Sequence, residues 1–228
     1  MAFSRGFESV MTAEPGMPCY RTILALDIEA STDRTNPVKG WLRSVMYELL
    51  ETALRKAGIT ERRRDPLVDR GDGVLALIHP LDEVPKTLLL NPVVPMLSRL
   101  LGEHGAHDPV RRFRLRAVVH AGEVHYDRQG CFGESLDIAF RLLDAPAVKH
   151  SLLRTAAPIV LVVSSDIYHG VVRHGYEGID EDRFERLVRV SVADEQHEGW
   201  VHIPGDGARH GVSGDVVAFR PRPVRAAT

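Results

Sequence analysis

The sequence is poor in cysteine: Cys19 and Cys131 are the only two among 228 residues. Two thiols make neither a disulfide framework nor the ligand spacing of a structural zinc site. Long apolar runs are also missing, and no stretch approaches the roughly 20 residues of a membrane-spanning helix. The opening MAFSRGFESVMTAEPGM lacks the continuous apolar centre of a secretory signal. Neither sign of charge prevails, since 29 Lys and Arg against 31 Asp and Glu leave −2. No global positive field therefore draws in nucleic acid or an anionic membrane. The densest basic run, Arg62-Arg63-Arg64, is short and reads as a solvated entry to a strand. The expectation is a cytoplasmic protein with no nucleic-acid and no membrane partner.

What is present suits one globular domain. Hydrophobic residues make up 44% and charged residues 26%, ordinary proportions for a chain long enough to bury a substantial core. Residues 1–20, broken by Gly and Pro, read as an N-terminal arm. Residues 21–204 read as one domain, and 205–228, rich in Gly, Pro, Arg and Ala, as a flexible tail.

Within the domain the hydrophobic period switches repeatedly. Ile23 to Leu26 is an unbroken aliphatic run, the mark of a buried strand. Trp41, Val45, Leu49 and Thr52 or Ala53 then recur at helical spacing, with Met46 and Leu50 widening the stripe and Gly58 ending it. A strand leads into Val68, Arg70-Gly71-Asp72-Gly73 makes a tight turn, and 74–78 runs back as a strand, which puts Asp72 on a hairpin tip. A helix starts near Pro92 or Pro95, passes Leu97, Leu100 and Leu101, and stops at Gly102 to Gly105. In RRFRLRAVVHAGEV, Phe113, Leu115, Ala117 and Val119 share one parity and Arg112, Arg114 and Arg116 the other. That is a half-buried strand, with Ala121-Gly122 as its bend.

Strand, helix, strand, strand, helix, strand is the ferredoxin-like βαββαβ order, an α+β plan within the broad α/β class: one antiparallel sheet with two helices on one face. A further helix starts at Glu134, with Leu136, Ala139, Phe140 and Leu143 on one side. A C-terminal α/β extension follows. It comprises a short helix over 148–156, a buried strand over 159–163, a short helix capped by Ser164-Ser165-Asp166, a strand over 188–192, a turn over 194–199 and a strand over 200–203.

Chemistry enters where the first aliphatic run stops. In RTILALDIEASTD a carboxylate, Asp27, sits at the exposed end of a buried strand, ahead of a small-residue turn through Ala30, Ser31 and Thr32. Asp33 is a candidate cap for the helix beyond Pro37. Mg²⁺ takes oxygen ligands and keeps only one or two protein carboxylates beside substrate phosphates. Taken alone, Asp27 reads first as a residue that merely ends a strand, because single motif matches mislead often. Asp72, a second acid on a hairpin tip, strengthens the metal reading. His120, Glu123 and His125 are a weaker metal trio, because His120 and His125 have opposite strand parity. His174, His202 and His210 are scattered and read as loop or surface residues. Cys131 reads as a small buried hydrophobe, and Trp200 and Tyr176 as core or interface aromatics.

Three motifs in order, LALDIEAST, RGDGVLAL and HAGEV followed by FGESLDIAFRL, resemble the catalytic domain of the class III nucleotidyl cyclases over about residues 21–145. The resemblance implies a homodimer, head to tail, with active sites at the subunit interface and a nucleoside triphosphate as substrate. Asp27 and Asp72, with the carbonyl of Ile28, would hold two divalent cations, Mg²⁺ or Mn²⁺. Ala30, Ser31 and Thr32 would meet phosphates at the head of the following helix, and Asp137 and Arg141 would come from the partner subunit. The reaction implied is attack of the 3′-hydroxyl on the α-phosphorus, giving a 3′,5′-cyclic nucleotide and pyrophosphate. Cations on both sides favour such an in-line displacement, and Arg141 suits charge building on phosphate oxygens.

The sequence departs from the family at four places. Ala30 stands where Gly is usual. Val68 and Gly130 stand where purine-selective members read the base with side chains, so neither adenine nor guanine selection is carried over. Asp137 replaces an Asn that orients the ribose, and its spacing from Arg141 would allow an ion pair between them. The lysine that many cyclases carry on the last hairpin has at best Arg186 or Arg189 as a counterpart. A catalytically inactive cyclase-like module that binds nucleotide or dimerises is the alternative. A diguanylate cyclase would need a GGDEF-like hairpin, which RGDGV is not.

Overall fold

The computed structural model describes residues 16–205. Residues 1–15 and 206–228, holding most of the expected arm, nearly all of the tail and His210, lie outside them. The first strand, β1 (Cys19–Ile28), begins two residues inside the stretch assigned to the arm. It is followed by α1 (Asn36–Lys56), the short β2 (Val68–Asp69), β3 (Gly73–Ile78), α2 (Val94–His107) and β4 (Leu115–Tyr126). The chain then forms β5 (Cys131–Phe132), α3 (Glu134–Asp144), α4 (Pro146–Leu153), β6 (Ile159–Ser164), α5 (Ser165–Gly170), β7 (Glu185–Val192) and β8 (Glu195–His202).

These strands form one sheet in the order β2-β3-β1-β4-β6-β8-β7, with β5 paired to β4. The first four strands are antiparallel neighbours, as the ferredoxin-like order requires. The extension is attached through β6, which runs parallel to β4. Both faces are covered. Leu24, Leu26 and Ile28 point to α1 and α2, whereas Ile23 and Ala25 point to α3 and α4. The unbroken aliphatic run is explained by this: a strand buried on both sides has no polar face to alternate with.

Several boundaries differ from the sequence expectation. The buried stripe of α1 is Leu42, Met46, Leu50, Ala53 and Leu54, one residue out of phase from Trp41, Val45 and Leu49, which sit half-buried at its flank. The broad apolar arc of this helix fits either phase, and docking onto the sheet selects one. Asp33 lies in a short 3₁₀ turn, and the cap position of α1 is Thr35, with no side-chain cap bond. Gly102 and Gly105 do not stop α2, which continues to His107. The missing side chain of Gly105 lets Arg112 lie across the helix, where a Cβ would come 3.1 Å from Cγ of Arg112.

β4 runs through Gly122 without a bend, and that glycine serves close packing instead. A Cβ there would lie 2.2 Å from Oγ of Ser135 at the head of α3. β8 starts at Glu195, so the link to β7 is a two-residue turn rather than a loop over 194–199. Ala193 takes the left-handed conformation, φ 49, that such tight hairpins demand. Arg64 is buried against Glu51 rather than solvated, and Tyr176 is exposed. Trp200 is buried and stacks on Tyr168 at 4.3 Å.

Gly73 fixes the spacing that matters for the site. It pairs with Asp27, and a Cβ on it would lie 2.5 Å from the backbone oxygen of Leu26. Neither strand can retreat, because both are covered. Gly73→Ala is therefore expected to cost about 1–3 kcal/mol, as overpacking does. The measurement is the urea midpoint at constant m, and an unchanged midpoint would show that β1 and β3 can part.

Candidate active site

The sheet register brings Asp27 and Asp72 together. Asp27 is the penultimate residue of β1, flanked by Gly73 on β3 and Arg116 on β4. Asp72 precedes Gly73 at the hairpin tip, and its backbone oxygen accepts the N–H of Ile28 at 3.1 Å. Two acids 45 positions apart thus end up on adjacent strand ends.

Their electrostatics are unbalanced. The side chain of Asp27 is 16% exposed. Burial pushes its carboxyl up to about 6, with Asp72 and Asp144 adding to the rise and Arg116 opposing it. Arg116 forms ion pairs with both Asp27 and Asp144, and Lys149 reaches Asp144 at 3.4 Å. Around Asp27 itself, three acids thus meet two cations. The available donors, the carboxylates of Asp27 and Asp72 and the carbonyl of Ile28, are all oxygens and suit Mg²⁺ or Mn²⁺.

The raised carboxyl predicts a pH dependence. A cation held by Asp27 would compete with the proton, so affinity for Mg²⁺ would fall by about tenfold per pH unit below about 6 and level off above it. Calorimetric titration between pH 5 and 8 measures this. A flat profile would remove Asp27 from the cation site.

The turn after Asp27 builds the neighbouring wall. Ala30 has φ 51, a left-handed conformation that explains why glycine is favoured there. Ser31 is buried and Thr32 exposed. With Asp72, Gly71, Lys39 and Arg43 they line a shallow cleft of about 230 Å³. Lys39 and Arg43, on the first turns of α1, escaped the sequence reading. Their i,i+4 spacing after Pro37 was the available signal. Arg43 is held at 2.9 and 2.6 Å by Asp69, leaving Lys39 as the cleft's other cation.

Arg116 also escaped, because a row of arginines on one strand parity reads as a solvated face. The row is ordered instead. Arg114 makes a two-pronged bond to Glu29 at 2.7 and 2.6 Å, Arg112 donates to the carbonyl of Ala156, and Arg116 turns into the site.

No protein-family model and no curated protein matches the chain. Solved structures do. The adenylate/guanylate cyclase/hydrolase from Silicibacter pomeroyi superposes with TM-score 0.58 at 18% identity, over 83% of this chain and 99% of that one. The adenylyl cyclase CyaB from P. aeruginosa gives 0.54 at 14% identity, over 85% and 97%. A dimeric guanylyl cyclase domain, from the RhoGC fusion protein of Blastocladiella emersonii, gives 0.53 at 12%, over 81% and 96%.

The chain has the fold of a class III nucleotidyl cyclase catalytic domain.

On the cyclase fold the remaining expected residues fall into two groups. Val68 and Gly130 lie around an apolar wall. Val68 packs in the same cluster as Tyr126 and Cys131, and Gly130 sits in the turn before β5 with open space where a side chain would project. Behind that wall the buried Asp65 accepts from Tyr126 at 2.5 Å, His79 at 2.8 Å and Arg21 at 3.1 Å. Burial would push its carboxyl up, but these three donors hold it below the usual range. Cys131 is half-buried beside this network.

Asp137 and Arg141 form the second group. Both are exposed on α3, and no ion pair joins them among the described residues, contrary to the i,i+4 link their spacing allows. Burial, Arg116, Asp72 and Asp144 are the leading influences on Asp27. Within one chain the structure does not bring them into the site. Among the histidines, His120 is buried with its Nδ1 2.7 Å from Oγ of Ser164, which therefore does not cap α5. Burial lowers the His120 imidazole to about 4. The trio His120, Glu123 and His125 is not brought together as a cluster. Among the described residues no helix is long and apolar enough to cross a membrane.

Proposed function

We propose that the chain is a metal-dependent nucleotidyl cyclase whose active site is completed by a second copy. The observation that carries this is the juxtaposition of Asp27 and Asp72 on adjacent strand ends, where Asp72 adds to the crowding of charge at Asp27. Divalent cations held there would lower the pKa of the 3′-hydroxyl and stabilise the departing pyrophosphate. Asp27, Asp72 and the Ile28 carbonyl supply the oxygen donors, and Ser31, Thr32 and Lys39 line the cleft where phosphates would lie. Arg116 pairs with Asp27 and Asp144 at this site, and as a planar multi-donor cation it would be able to donate to phosphate oxygens were a cation to take its place on Asp27. Arg141 of the partner would offset charge at the α-phosphate, and Asp137 would accept from the ribose. In the step itself the O3′–Pα bond forms, the Pα–O bond to the β-phosphate breaks, and the hydroxyl proton departs to water.

Base selection is expected to be weak. Val68 and Gly130 offer no side-chain hydrogen bond, and the Asp65 network is already satisfied by protein donors. Sites that read a base by buried hydrogen bonds reject analogues by about 10⁴ or more, and this one lacks them. Purified protein with each of the four triphosphates and Mn²⁺ or Mg²⁺, read by mass spectrometry, is expected to give cyclic monophosphates from more than one base. The rates should differ by less than about tenfold. No turnover of any triphosphate by an intact dimer would favour the second reading, an inactive module. That reading is supported by the existing Arg116–Asp27 ion pair, which occupies the carboxylate the metal needs.

A further inference from the structure

A second group of metal-ligating side chains lies away from Asp27 and Asp72. Glu195 and His197 are two apart on β8 and share a face, the one on which Gly199 and Val201 pack toward α3. Gly199 allows that packing to be close: a Cβ on it would come 3.0 Å from Leu142 and 2.9 Å from Val162. Four residues before Gly199 on β8, and eight before Leu142 on α3, the two elements present Glu195 and Glu134. One ligand atom from each of Glu134, Glu195 and His197 lies within 4.8 Å of the others. Nε2 of His197 is buried and has no hydrogen-bond partner among the described residues. A buried imidazole nitrogen left unpaired costs stability unless something fills the gap. Two carboxylates stand beside the same imidazole.

We propose that Glu134, Glu195 and His197 bind one divalent transition-metal ion, separate from the Asp27–Asp72 pair, which ties the start of β8 to the first turn of α3. One imidazole and two carboxylates are a donor set for Zn²⁺, Co²⁺ or Mn²⁺ rather than Ca²⁺, with water completing the shell on the exposed side. Metal coordination would engage the imidazole and neutralise two acids gathered at one spot. It also fixes the turn of α3 that leads into Asp137, three residues beyond Glu134.

The test uses the full chain carrying Asp27→Asn and Asp72→Asn, stripped with chelator, so that the site described above contributes no strong binding. Co²⁺ is titrated by visible absorption and Zn²⁺ by calorimetry. One equivalent per chain is expected. Affinity should fall at least tenfold in His197→Ala and in the isosteric Glu195→Gln, each with an unchanged far-UV circular dichroism spectrum. Absence of saturable binding, or binding that either substitution leaves unchanged, overturns the proposal. Because both acids of the first site are already removed, that failure leaves the cyclase reading untouched.

Discussion

Asp27→Asn is expected to lower cyclic-nucleotide formation by about three orders of magnitude or more, since loss of one preorganised electrostatic element alone costs 10²–10³. The amide keeps the shape and an oxygen but loses the charge that holds a cation against a triphosphate. Asp72→Ala should do the same, because the two acids serve one cluster of charge and neither substitutes for the other. The fold is expected to survive the Asn variant. The carboxyl sits at about 6 in the folded chain against 3.8 without its surroundings. An acid raised in this way stabilises the fold fully below its unfolded pKa, and that contribution is lost as pH rises through about 6. At most about 3 kcal/mol is involved, discounted for partial exposure, and at pH 8 it is already gone. Removing the charge therefore relieves crowding among Asp27, Asp72 and Asp144, while Arg116 loses one of its two acidic partners. The rise to about 6 already includes the opposing pull of Arg116, so the first effect prevails. Urea unfolding at pH 8 should thus give the variant a midpoint equal to or above the parent's, while product formation falls by the full factor. Activity retained within tenfold in either variant would sink the metal reading of both acids.

The fold and the placement of Asp27 and Asp72 on neighbouring strand ends were legible in the sequence. Asp27 and Asp72 stand out because each interrupts an apolar run at a place where a strand must end or turn, and a charge there has to face water or a ligand. The antiparallel core was legible for the same reason: the chain's period switches between two and 3.6 in the ferredoxin-like order. Other features depend on which neighbour occupies a given space, which periodicity does not encode. The alternating arginines of β4 give a polar face, but only packing reveals that Arg114 is captured by Glu29 and the carbonyls of Leu152 and Thr155 while Arg116 enters the site. The phase of α1 was ambiguous by one residue because its apolar arc is wide. Gly105 and Gly122 look like a stop and a bend, yet each instead makes room for a side chain from elsewhere. Ser164 reads as a cap, but the buried imidazole of His120 takes its hydroxyl. Glu134, Glu195 and His197 are about 60 residues apart at the extremes, and their convergence follows only from how tightly α3 presses on Gly199.

The largest gain of function is expected from mixing two dead chains. Arg141→Ala should be as inactive as Asp27→Asn if both residues serve one reaction, although they lie on different parts of the molecule. In a two-fold homodimer with composite sites, a heterodimer of these variants gathers both defects into one site and leaves the other wild type. Co-expression in equal amounts gives about half heterodimers, each with one working site of two, so activity should recover to about a quarter of the wild-type value. That is a rise of more than a hundredfold over either variant alone. Differently tagged chains purified through both tags should reach about half. The exposure of Arg141 and the absence of an ion pair to Asp137 are what make this arrangement possible, since a guanidinium already bound within its own chain would have to be released first. If the doubly tagged heterodimer stays as inactive as its parents while each parent binds nucleotide, then Arg141 does not act across the interface. If Arg141→Ala is fully active by itself, the partner's helix contributes nothing to the reaction and the site is closed by other groups, Lys39 and Arg116 among them.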